Sequence, residues 1–186
     1  MIAIVGDIAP LAVASGSRTR LALTGRAAVA AGARVEVVGV VAEGPDGDFA
    51  LVELARERLG HAAVLRSAAS SLEAADLALA LRYLPDLRVV VLLGVGDALV
   101  PAAVEGAAFA GAMVLVVTES EAVPPGLPAA AIVIRAPGSD AAGTFASFVG
   151  QLAARLDAGA NAADAWADTT AALAIEPWTD LLPERA

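Results

Sequence analysis

Apolar and polar positions along this chain alternate between two kinds of segment. Short β-branched runs predict strands at Ile2–Val5, Arg34–Val41, Ala62–Leu65, Arg88–Leu93, Met113–Val117 and Ala131–Ile134. Several, such as Val89–Leu93, are unbroken apolar runs, the pattern of strands buried on both faces of a parallel sheet. Longer alanine-rich segments between them predict helices at Arg18–Ala31, Asp48–Leu59, Leu72–Tyr83, Val100–Ala110, Ala141–Leu156 and Ala162–Leu173. Regular β–α alternation of this kind argues for an α/β fold. The expected architecture is a three-layer α/β/α sandwich on a mostly parallel open sheet.

Punctuation supports these boundaries. Gly32 is placed to end the first helix in a left-handed conformation. Gly44-Pro45-Asp46-Gly47 reads as a turn leading into the second helix, and Ser70 and Ser71 as N-caps of the third. Pro124, Pro125 and Pro128 hold an extended linker before the last strand. Residues 1–186 read as one domain, with Glu176–Ala186 an irregular tail that Trp178, Leu181 and Leu182 could dock.

Composition narrows the function classes. The chain is 58% hydrophobic and 18% charged, which excludes a disordered chain. The longest stretch without a charge, Ala141–Ala154, is 14 residues and contains Gly, Thr, Ser and Gln, too short and too polar to span a membrane. Formal charge is −9, with all 12 basic residues Arg, so nucleic-acid binding is disfavoured. With no Cys and one His, thiol chemistry and multi-histidine metal motifs are excluded. The lone His61 reads as a turn or partly buried neutral histidine rather than a ligand. No basic stretch precedes the first apolar run, so a cytoplasmic location is the expectation.

In open parallel sheets, ligands bind beyond the carboxyl ends of the strands. Four segments fall there. Asp7, after the first strand, could hydrogen-bond a polyol or serve as a turn residue. Gly94-Val95-Gly96-Asp97 could cradle a phosphate, but the dinucleotide fingerprint needs a third glycine where Leu99 stands. Asp97 would repel an anion and fits an N-cap. Glu119 and Glu121 could hold Mg²⁺ through water, or form a solvated loop. Gly138–Gly150, GSDAAGTFASFVG, joins the last strand to a helix whose N-terminus could receive an anion. Arg18 and Arg20 could capture an anion too, although arginines on a first helical turn usually face solvent.

The fourth segment resembles the signature DTTGAGDxFxG of the ribokinase/PfkB family of carbohydrate kinases. Asp140–Gly150 aligns with it without a gap, matching at Asp140, Gly143, Phe148 and Gly150. LAARLDAGANAADAWADTTAAL is similar to the family's next helix, turn and final helix. At the front, MIAIVGDIAPL and AAVAAGARVEVVGVVAEGPDGD resemble its opening strand and its "GxVGxDxxG" stretch. The resemblance implies a ribokinase-like fold, with ATP and Mg²⁺ as cofactors if the chain is an active kinase.

The resemblance also assigns roles, and here the sequence departs. The family's catalytic base falls at Ala146, which cannot accept a proton. The second glycine of its anion hole falls at Phe145. A frame shifted by two residues puts Thr144 at the base position and loses the Phe148 and Gly150 matches. The family's substrate-binding GG and Asn fall at Arg18, Thr19 and Leu23, and its sugar-clamping Asp falls at Leu11. Ile8–Ser17 is too short for the β-strands that form the family's lid, so the lid is expected to be absent. Full members are also considerably longer.

The expectation is therefore a shortened, degenerate member that has lost phosphoryl transfer, needs no cofactor and acts as a binding or interaction module. Asp140, Gly143, Thr144 and Ser147 would be the remnant of the anion and nucleotide site, and Asp7 and Arg18 of the substrate side. The apolar surplus suggests a homodimer; a small-molecule ligand is also compatible. Two alternatives stand: an active kinase with an unorthodox site built from Asp7, Asp140, Thr144 and Ser147, and a Rossmann-type nucleotide binder using Gly94–Asp97.

Overall fold

The six β-branched runs become the six strands of one sheet. The computed structural model describes residues 1–8, 17–68 and 71–173. The strands are β1 (Ile2–Gly6), β2 (Val35–Val41), β3 (Gly60–Arg66), β4 (Val89–Leu93), β5 (Met113–Thr118) and β6 (Ile132–Arg135). The helices are α1 (Ser17–Ala30), α2 (Pro45–Arg56), α3 (Ala74–Tyr83), α4 (Val100–Ala110), α5 (Thr144–Asp157) and α6 (Ala162–Ala172). The sheet order is β3-β2-β1-β4-β5-β6, and every pairing is parallel. The expected α/β sandwich is present, with a fully parallel rather than mostly parallel sheet.

Alternation along the strands makes two cores, because successive side chains point to opposite faces. On one face Ile2, Ile4, Val89, Val91, Leu115 and Ile134 pack with α1, α2, α5 and α6. On the other, Ala3, Val5, Val90, Leu92, Val114 and Val116 pack with α3 and α4. The connection from β5 to β6 contains no helix, and Leu127 and Ala131 from it cover that second face.

Helix α5 lies against α1 on the first face, held by Gly150. A Cβ there would stand 2.3 Å from the Thr24 carbonyl oxygen and 2.8 Å from the Ala27 Cβ. Only glycine permits this approach. Helix α6 docks on α5 through an edge-to-face contact of Phe148 and Trp166, centroids 4.9 Å apart.

Some boundaries differ from expectation. Helix α2 begins at Pro45, not Asp48: Gly44, at φ 97°, is the N-cap and Pro45 sits in the first turn. The predicted turn is thus mostly helix. Helix α3 starts at Ala74, with Glu73 rather than Ser71 at its N-cap, and Ser70 lies outside the described residues. Helix α5 starts at Thr144 rather than Ala141, because Gly143 takes the left-handed conformation at φ 68°. Gly32 has φ 90° after α1, as expected. The expected lid deletion, Leu11 and the tail Glu176–Ala186 fall partly or wholly outside the described residues.

Candidate functional site

A fully parallel sheet gathers all six strand ends on one edge. Strand order reverses between β1 and β4, and crevices form at such switch points. Asp7 follows β1 there, exposed to solvent, and Gly94 follows β4. Helix α1 follows β1 and α5 follows β6, so both helices start at this edge, side by side.

Asp140 organises the start of α5. Its Oδ1 accepts the Phe145 N–H at 3.0 Å and its Oδ2 the Ala146 N–H at 2.9 Å. Its carbonyl accepts the Gly143 N–H at 3.0 Å. A carboxylate thus already sits where the unpaired N–H groups and positive dipole end of α5 would draw an anion. Gly143 makes the chain reversal between them, and Ser147 donates its backbone N–H to the Gly143 carbonyl at 2.9 Å. Thr144 is exposed and Ser147 half-buried.

The two positions that depart from the kinase signature point inward. Phe145 is 1% exposed and Ala146 0%. Phe145 belongs to the core that packs α5 on the sheet, and Ala146 is buried on the same helix.

Arg20 is the residue that sequence reading misplaced. Its expected solvent-facing position is wrong: the side chain is 6% exposed. Its guanidinium lies 5.6 Å from the Phe145 ring centroid, in cation–π range. Nη1 donates to Glu119 Oε1 at 3.1 Å and Nη2 to the Pro137 carbonyl at 3.4 Å. Arg20 therefore ties α1 to the segments that leave β5 and β6, directly over Phe145. The Arg18 side chain lies outside the described residues, so its proposed part is not placed.

The other two edge segments are engaged as well. Glu119 pairs with Arg20, and Glu121 with Arg135 at 3.0 Å, so the two carboxylates diverge to separate arginines instead of converging on one cation. Among the described residues no three His, Cys, Asp or Glu side chains group as a metal would need. Gly94 donates its N–H to the Val117 carbonyl at 3.1 Å, extending the β4–β5 ladder. Asp97 is not an N-cap: it opens a short 3₁₀ turn, Asp97–Leu99, whose N-cap is Gly96. His61 is partly buried, as expected, but lies in β3 rather than a turn, with Nδ1 3.2 Å from the Leu59 carbonyl.

No family model matches the chain, and no curated protein matches its sequence. Solved structures do match its shape. A candidate ribokinase II from E. coli superimposes with TM-score 0.60 at 13% identity, over 93% of this chain and 91% of that one. Fructokinase from Xylella fastidiosa, solved with bound ATP, gives 0.60 at 12% identity, over 97% and 87%. Aminoimidazole riboside kinase from Salmonella enterica gives 0.58 at 16% identity, over 98% and 95%. The fold is ribokinase-like. Identities this low carry the architecture and not the chemistry.

Within this ribokinase-like fold, each residue that matches the kinase signature has a structural task. Asp140 caps α5, Gly143 supplies the left-handed turn, Phe148 docks α6 and Gly150 admits α1. No helix among the described residues is long and apolar enough to cross a membrane.

Proposed function

We propose that this ribokinase-like domain has kept the kinase scaffold, has lost phosphoryl transfer, and serves as a binding or interaction module that self-associates. The observation that carries the reading is the state of the α5 N-terminus. Phosphoryl transfer relies on positioning, charge stabilisation and a group that orients or deprotonates the nucleophile. Here the N–H groups of residues 145 and 146 are bonded to Asp140, and the family's base position is a fully buried alanine. In an unorthodox kinase site Asp140 is a poor acceptor for a substrate hydroxyl, because both of its oxygens already accept backbone N–H groups, and Asp7 is the carboxylate such a site would have to use. Thr144 and Ser147 offer hydroxyls and no base. On this reading no cofactor is required.

A Rossmann-type binder is the second reading, favoured by one observation: Gly94 stands at the switch point of a sheet ordered 3-2-1-4-5-6. Against it stand the Gly94 N–H already bonded to Val117 and the exposed carboxylate of Asp97 beside the would-be phosphate.

The test is a thermal-shift panel of ATP, ADP, NAD⁺, Mg²⁺ and common sugars on the full chain, with ADP release measured in parallel. The proposed reading expects no stabilisation by ATP·Mg²⁺ and no turnover. Stabilisation by NAD⁺ that a bulky substitution at Gly94 or Gly96 abolishes would favour the second.

A further inference from the structure

The two faces of the sheet are covered unequally. Helices α1, α2 and α5, with α6 on α5, cover the first; among the described residues α3, α4 and the β5–β6 connection cover the second. These two helices touch closely: a Cβ on Gly106 would stand 2.7 Å from Leu81 Cδ1. Their outer surface is apolar. Leu79 is 56% exposed, Tyr83 79% and Phe109 72%. Leu79 and Tyr83 are one turn apart on α3, as are Glu105 and Phe109 on α4. Arg82 joins the two rows, with its guanidinium 6.0 Å from the Phe109 ring centroid and Nη2 donating to Glu105 Oε1 at 2.7 Å.

Charge selects the occupant. The chain carries −9 overall, so two copies repel across most of their surfaces. On the α3/α4 face, the cation Arg82 and the anion Glu105 neutralise one another between the exposed apolar side chains. A two-fold axis places the same patch on both partners, and one set through the Arg82–Glu105 pair brings the two oppositely charged pairs together, so that each Arg82 can exchange its own Glu105 for the other copy's. We infer that the outer face of α3 and α4 is an isologous homodimer surface, with Tyr83 and Phe109 as its aromatic anchors. It rests on the self-association named above and gives it a location.

The face is small. Helices of 10 and 11 residues extend only about 15 Å each, so association is expected at micromolar rather than nanomolar concentration. Sedimentation velocity on the full chain, from low to about 100 μM, reads it directly. The wild type is expected to shift from monomer to dimer across this range. Phe109→Glu and Tyr83→Glu should each weaken dimerisation at least tenfold while leaving the melting temperature of the monomer unchanged. Phe49→Glu, on α2 of the opposite layer, should leave the dimer intact. Mixing Arg82→Glu with Glu105→Arg should give a heterodimer tighter than either variant alone. A wild type that stays monomeric overturns the inference, as does a dimer that survives both aromatic substitutions or that Phe49→Glu dissociates. These outcomes are separate from catalysis: kinase turnover would overturn the loss of phosphoryl transfer and leave the surface standing.

Discussion

The guanidinium of Arg20 lies over the ring of Phe145, 5.6 Å from its centroid, and both side chains are buried. This contact joins the first turns of α1 and α5 where the sheet's carboxyl edge would otherwise open. Arg20 Nε has no hydrogen-bond partner. Its Glu119 partner is exposed, so removing the arginine strands no buried charge. Packing is therefore its main contribution. Arg20→Met, which keeps the stem, should change stability by less than about 1 kcal/mol, whereas Arg20→Ala should cost about 2 kcal/mol. Urea denaturation separates the two; equal losses would assign the stabilisation to charge instead.

Asp140 satisfies two backbone N–H groups of α5 through its side chain. Asp140→Ala should lower stability by about 1–2 kcal/mol, the range for loss of a helix cap, and Asp140→Asn by less. Hydrogen exchange should localise the effect, with faster exchange at Phe145 and Ala146. Unchanged protection at those two amides would contradict the assigned role.

Glycines divide into those the fold needs and those it does not. Gly150→Ala forces a Cβ to within 2.3 Å of the Thr24 carbonyl, so α1 and α5 must separate. A loss of about 3 kcal/mol or more is expected. Gly96→Ala meets nothing within 4 Å at φ −67° and should be neutral. Thermal melts of the two variants check this contrast.

Restoring an acid at the signature's base position should not restore a kinase. Ala146 is fully buried, so Ala146→Asp takes a carboxylate out of water. It should destabilise by about 3 kcal/mol or more and show no turnover. A stable Ala146→Asp variant that hydrolyses or transfers the ATP γ-phosphate would show that residue 146 reaches a substrate.

Much of the fold was legible because a parallel sheet leaves an unmistakable trace. Strands buried on both sides, such as Val89–Leu93, are apolar throughout and cannot be mistaken for amphipathic elements. Helix starts were less legible: α2 begins with Pro45 and α5 waits for the left-handed Gly143, both decided by backbone geometry rather than periodicity. At the site, Asp140 and Gly143 stood out through the resemblance to the kinase signature, and their local tasks at the start of α5 came only with the structure. The burial of Arg20 was not legible, because the groups that bury it, Glu119 and Pro137, lie 99 and 117 residues further along the chain. A polar residue on a first turn looks solvent-facing until distant segments close over it. The divergence of Glu119 and Glu121 to different arginines was hidden for the same reason.

The most direct test of the central claim is ADP release by the purified full chain with ATP, Mg²⁺ and a panel of sugars and ribosides. The account predicts a rate indistinguishable from a no-protein control for every acceptor. Acceptor-dependent ADP release, abolished by Asp140→Ala at a temperature where that variant stays folded, would contradict it.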